Sequence, residues 1–99
     1  MMKVCAGTGI LAPGESTMYT VTLEGQRQYA VYVEPVIEGV DFDLTVLDEN
    51  GNVVAQDVDE TGDALCYVSP RWTGPFGLVV SSAKGISDYT IYLATENLV

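Results

Sequence analysis

Hydrophobic and polar residues alternate with a period of two along most of this chain. Tyr19, Val21 and Leu23 interleave with Thr20, Thr22 and Glu24, and Tyr29, Val31 and Val33 with Ala30, Tyr32 and Glu34. Phe42, Leu44 and Val46 do the same with Asp41, Asp43 and Thr45. Successive side chains leave a strand on opposite faces, so each run predicts a strand with one buried face. Further strands are expected over 52–56, 64–69, 76–81 and 88–94, with a short one over 8–11. Turn-forming residues separate them: Ala12-Pro13-Gly14-Glu15, Glu24-Gly25-Gln26, Asp48-Glu49-Asn50-Gly51, Glu60-Thr61-Gly62-Asp63 and Trp72-Thr73-Gly74-Pro75. About eight short strands at spacings of roughly ten residues describe a sandwich or a barrel. No stretch carries a helical stripe free of glycine and proline. The chain reads as all-β, an antiparallel β-sandwich of about eight strands.

Ninety-nine residues, 47% of them apolar, support one domain over 1–99 with a single core. Residues 1–7 read as an N-terminal arm ahead of the first strand. The net charge of −10 repels phosphate backbones and anionic lipid, so neither nucleic acid nor a membrane is an expected partner. No apolar run approaches the roughly 20 residues that span a bilayer. The opening Met1-Met2-Lys3-Val4-Cys5-Ala6-Gly7 lacks the apolar stretch of a signal peptide. That leaves open a processed export signal, a module of a longer chain, or a cytosolic protein. The chain has no histidine, which removes Ser–His and Cys–His nucleophile pairs and the commonest zinc ligand. Gly7-Thr8-Gly9 precedes no helix and is no phosphate cradle. Paired carboxylates serve glycosidases, but a sandwich this small has little room for the cleft they need. An enzyme is not expected.

The acids are unevenly placed. Ten of the fourteen lie between Arg27 and Arg71, a stretch without a basic residue. Asp41 and Asp43, two apart on a strand, leave the same face while Phe42 and Leu44 point into the core. Two such carboxylates repel unless a cation or a donor lies between them, and hard oxygen ligands suit calcium. Asp57 and Asp59 repeat the arrangement on the next strand, and a hairpin through 48–51 brings the far ends of the two strands together. Glu38, Glu60 and Asp63 flank that end. The metal site expected from this pattern is Asp41, Asp43, Asp57 and Asp59, holding calcium. The other reading is a solvated acidic rim that keeps the protein soluble, and both remain open. Asp48-x-Asn50-x-Asn52 imitates the start of an EF-hand loop, but Val53 stands where glycine is required and Asp59 where glutamate is. That stretch is read as a hairpin turn.

The string Asp41-Phe42-Asp43-Leu44-Thr45-Val46-Leu47-Asp48-Glu49-Asn50-Gly51-Asn52-Val53-Val54-Ala55 resembles the central signature of the bacterial pre-peptidase C-terminal (PPC) domain family. That signature is an Asp-x-Asp-Leu strand, an Asn-Gly turn, a second strand and then acids. Pro70 with Thr73-Gly74-Pro75-Phe76, then Val79-Val80 and Asp88-Tyr89-Thr90-Ile91, resemble the family's later landmarks in order. Gly9-Ile10-Leu11-Ala12-Pro13-Gly14 and Glu24-Gly25-Gln26-Arg27-Gln28-Tyr29 resemble its opening strand pair. The resemblance spans 7–94. It implies a jelly-roll-like sandwich, non-catalytic, secreted or extracellular, of the kind attached to secreted bacterial or archaeal hydrolases. Members are associated with calcium and with binding of substrates or polymers.

The family pattern turns Leu65 and Tyr67 inward and therefore Cys66 outward. Three fates stay open for Cys5 and Cys66: a bridge within the chain, a bridge between molecules, or free thiols. An internal Cys5–Cys66 bridge would close a loop of about 60 residues, worth ~4 kcal/mol in the chain-entropy picture. Trp72, the only tryptophan, lies in a loop beside Arg71. There it either stacks on a ligand such as a sugar ring or closes one end of the core. Tyr32, Tyr67 and Tyr92 are candidates to add aromatic surface. The function expected is a calcium-stabilised, non-catalytic accessory module that binds a polymer or a protein. The alternative is a self-assembling subunit of an extracellular polymer or filament, a homo-oligomer built through exposed strand edges.

Overall fold

A computed structural model describes residues 2–58 and 63–95. The alternating runs become eight strands: β1 Met2–Leu11, β2 Ser16–Leu23, β3 Tyr29–Pro35, β4 Asp41–Leu47, β5 Val53–Asp57, β6 Ala64–Val68, β7 Gly74–Lys84 and β8 Ser87–Thr95. They form two four-stranded antiparallel sheets, ordered β1-β8-β3-β6 and β2-β7-β4-β5. Each connection crosses from one sheet to the other except β4 to β5, the single hairpin within a sheet. This nested order is the jelly roll, so the expected sandwich architecture is observed.

The period-two pattern decides what each strand buries. In β4, Phe42, Leu44 and Val46 face inward, and β7 sets Leu78 and Val80 beside them. Val31, Val33 and Ile91 supply the opposite layer. Each of these side chains is essentially inaccessible to water, and burial of one such residue contributes about 1.5–3 kcal/mol. Tight turns hold the strand ends. Between β1 and β2, Glu15 N–H donates to the Ala12 carbonyl at 3.0 Å, and Gly14 takes the left-handed φ of 85° that the turn needs.

Residues 1–7 are expected as an arm, but from Met2 onward they continue β1, paired with β8 from Met2 opposite Thr95 to Leu11 opposite Ser87. A register shift between Cys5 and Gly7 breaks the alternation there. Gly7 and Gly9 lie beneath two tyrosines: a Cβ on Gly7 would strike the Tyr19 ring, and one on Gly9 would sit 2.8 Å from the Tyr89 hydroxyl. The two hydroxyls hydrogen-bond at 2.7 Å. Burial first, and then this bond, pushes the Tyr19 phenol up to about 12.

The expected orientation of β6 is reversed. Ala64, Cys66 and Val68 are buried, while Leu65 and Tyr67 are 41% and 64% exposed. Cys66 lies opposite Val31, and its thiol points at the Leu44 carbonyl, 3.8 Å away. Burial, and then the charge of Asp57, pushes that thiol up to about 11. Cys5 is exposed on β1, at the other edge of the same sheet. Three inter-strand spacings separate the two strands, about 14 Å, twice the roughly 7 Å within which two Cα atoms can be bridged. Both thiols are free, and the internal bridge is not made.

Candidate functional site

The site expected at the acidic end starts from β4. Because Phe42, Leu44 and Val46 are held inward, Asp41 and Asp43 must share the outer face of the β2-β7-β4-β5 sheet. Across the ladder Asp41 lies opposite Lys84 and Asp43 opposite Ser81. One oxygen of each carboxylate, Oδ1, is buried and has no hydrogen-bond partner among the described residues. A buried acceptor without a partner costs about 1–3 kcal/mol, and more when it carries charge. The Asp43 carboxyl accordingly stands above its usual value of 3.8: burial is the main cause, followed by the negative charges of Asp41 and Asp57.

Asp57 does not join that pair. The β4–β5 register sets it opposite Leu44, on the inner side of the sheet, and its Oδ2 accepts the Leu65 N–H at 2.8 Å. It therefore ties β5 to β6 across the gap between the two sheets. Asp59 and Glu60 lie outside the described residues. Glu38 and Asp63 do come to this end of the molecule. With Asp41 and Lys84 they line a cavity of about 680 Å³ beneath the loop joining β3 and β4. Asp63 Oδ2 also accepts the Tyr32 hydroxyl at 2.7 Å, and this bond is the leading cause of a Tyr32 phenol pushed up to about 12. Among the described residues, no three histidine, cysteine, aspartate or glutamate side chains stand close enough together to hold a metal ion. The four-aspartate cluster expected from the sequence reduces, within the described residues, to the pair Asp41 and Asp43.

Lys84 is the residue at this end that the sequence pattern did not single out. It is a lone basic residue late in the chain, and only the β4–β7 register brings it opposite Asp41. Asp48, by contrast, is occupied. Its Oδ1 accepts the Asn50 and Asn52 N–H groups at 2.9 Å each, and its Oδ2 accepts the Asn52 side-chain amide at 3.1 Å. These bonds, led by that from the Asn52 backbone, hold its carboxyl below the usual range. With Gly51 at a φ of 83°, the stretch is a hairpin turn, as expected, rather than an ion loop.

Trp72 sits at the opposite end of the sandwich, in the loop between β6 and β7. Its ring stacks on Phe76 with centroids 6.0 Å apart and 28° between planes, and it remains 40% exposed. It both covers that end of the core and lines a groove of about 370 Å³ with Val54, Val68, Pro70, Arg71 and Phe76. The expected aromatic surface lies on the outer face of the other sheet, where Tyr32 and Tyr92 stack at 6.3 Å beside the exposed Tyr67.

Chemically, the acidic end offers hard anionic oxygens in a polar, open setting. Two carboxylates with orphaned oxygens fit a hard divalent cation as part of its shell of six to eight oxygens. Backbone carbonyls and water would have to supply the rest. The chain matches no protein-family model and no curated protein.

Proposed function

We propose that this protein is a non-catalytic binding module whose acidic end takes calcium, an extracellular accessory domain of the kind that accompanies secreted hydrolases. The observation that carries the reading is the pair of buried Oδ1 atoms of Asp41 and Asp43, each without a partner among the described residues, on carboxylates that repel each other. Water satisfies a solvated carboxylate at both oxygens, so two buried oxygens without a partner favour a bound cation over a solvated rim. Lys84 lies opposite Asp41, yet it makes no ion pair with it among the described residues. Calcium bound by the folded state alone adds its binding free energy to folding. The accessory and extracellular parts of the reading are supported by the resemblance across 7–94.

The test is a set of thermal melts in low salt: EDTA, millimolar calcium, and magnesium at matched ionic strength. A rise specific to calcium is expected. An equal response to both salts would reduce the acidic end to a charged rim that any cation screens.

A further inference from the structure

Four strand edges are presented by the two sheets: β1 and β6 by one, β2 and β5 by the other. An edge exposes unpaired N–H and C=O groups that template pairing with another strand, and folded proteins blunt such edges by recognisable means. Three of the four are blunted here. β1 carries a register shift between Cys5 and Gly7. β5 has five residues, a register shift opposite Val46 and Leu47, and a terminal aspartate. β6 also has five residues, and the Asp57 carboxylate caps the Leu65 N–H of its edge.

β2 has none of these devices. Its register runs without a break from Ser16 opposite Ser81 to Leu23 opposite Gly74. The strand, Ser16-Thr17-Met18-Tyr19-Thr20-Val21-Thr22-Leu23, contains no charge, no proline and no glycine, in a chain whose net charge is −10. Ser16, Thr17, Met18, Thr20 and Thr22 are all exposed, Met18 by 59%. Threonine, tyrosine and valine are strong strand formers.

We propose that the free edge of β2 is a pairing surface, and that its occupant is β2 of a second copy of this chain. Antiparallel pairing about a two-fold axis at Thr20 sets residues of equal parity opposite each other. Tyr19 and Val21 of both copies then stay on the inner side of one continuous eight-stranded sheet, while Met18 faces Thr22 of the second copy on the outer side. The acids that bracket the strand are also compatible with this register. Glu15 falls opposite Gly25 of the second copy and Glu24 opposite Ser16, so no carboxylate faces another. Through this edge two copies of an acidic molecule meet without direct like-charge contact, and added salt strengthens their association by screening the remaining charge.

The experiment is sedimentation velocity from micromolar to millimolar protein, in EDTA, at low and high salt. EDTA separates the result from any role of calcium. A reversible monomer–dimer equilibrium that salt shifts toward dimer is expected. Thr20→Lys sets a charge at the two-fold axis and weakens the dimer by at least about tenfold, with an unchanged melting temperature in dilute solution. Met18→Lys serves as a second probe of the same edge should Thr20→Lys fold poorly. Tyr67→Lys, on the capped edge of β6, leaves the dimer as in the parent chain. A parent chain that stays monomeric throughout overturns the proposal. So does association that survives both β2 variants, or that Tyr67→Lys abolishes while they do not.

Discussion

Asp43→Asn separates the electrostatic from the structural role of the acidic pair. The substitution keeps the side-chain shape and removes one charge from the outer face of β4. Two residues along a strand are about 7 Å apart. Unit charges at that distance repel by ~0.6 kcal/mol in a water-like medium and by ~2.4 kcal/mol at an effective dielectric constant of about 20. Asp43 is only partly buried, so the lower half of that range applies, ~1 kcal/mol. In EDTA at neutral pH the variant is therefore expected to melt about 4–8 °C above the parent chain. Calcium, taken at the acidic end as proposed, is expected to reverse the order. At a hundredfold excess over its dissociation constant it adds ~2.7 kcal/mol to the parent chain, and the variant, short of an anionic ligand, gains much less. The sign of the pH dependence follows from the raised carboxyl of Asp43. Its stabilising contribution is full below the unfolded value, near 3.8, and is lost as pH rises through the higher folded value. The parent chain in EDTA thus loses stability as pH rises from about 3.8 through that higher folded value, and Asp43→Asn flattens that slope. Calorimetry of both chains, with and without calcium, reads all three effects. An equal calcium increment in both would refute the reasoning, as would a variant less stable than the parent in EDTA.

Two further outcomes concern the ends and edges of the sandwich. A Cβ on Gly25 would sit 2.9 Å from the backbone of Trp72, which cannot swing aside as a side chain does. Gly25→Ala is expected to cost about 1–3 kcal/mol in urea unfolding and to change the native emission of Trp72, the only tryptophan; an unaltered spectrum would contradict that packing. With a water-soluble thiol reagent near pH 8, native protein should present Cys5 and withhold Cys66, whose buried thiol is pushed up to about 11, and both should react in denaturant. Full reaction in the native state would mean that Cys66 is not in the core.

How far these features can be read from sequence depends on whether a strand has two chemically different faces. β4 does: Asp41 and Asp43 alternate with Phe42 and Leu44, so both its burial and the shared face of the carboxylates follow from the pattern. β6 does not. Ala64, Leu65, Cys66, Tyr67 and Val68 are all apolar, and periodicity without contrast carries no phase. Its pairing with β3 decides, and turns Cys66 inward. β1 was legible only in its second half, because small residues and the shift at Cys5 and Gly7 erase the alternation earlier. For the site, the sequence places four carboxylates at one end, but register is a three-dimensional property. The shift at Val46 and Leu47 determines which face Asp57 takes, and it takes the inner one. The sheet order, likewise, is not contained in strand spacing; the jelly-roll expectation came from the resemblance.

The jelly-roll order has a kinetic consequence. β1 pairs only with β8, and β2 only with β7, so the first strands made wait for the last. At roughly 5–20 residues per second, a ribosome holds them without their partners for several seconds. Pairings this distant in sequence also close slowly, on the order of milliseconds to seconds once the chain is free. During that interval β2 is an uncharged strand with neither edge protected. Assembly thus waits for the last strands to be made, and misassembly threatens this fold more through the time its early strands spend waiting than through any weakness of the completed sandwich.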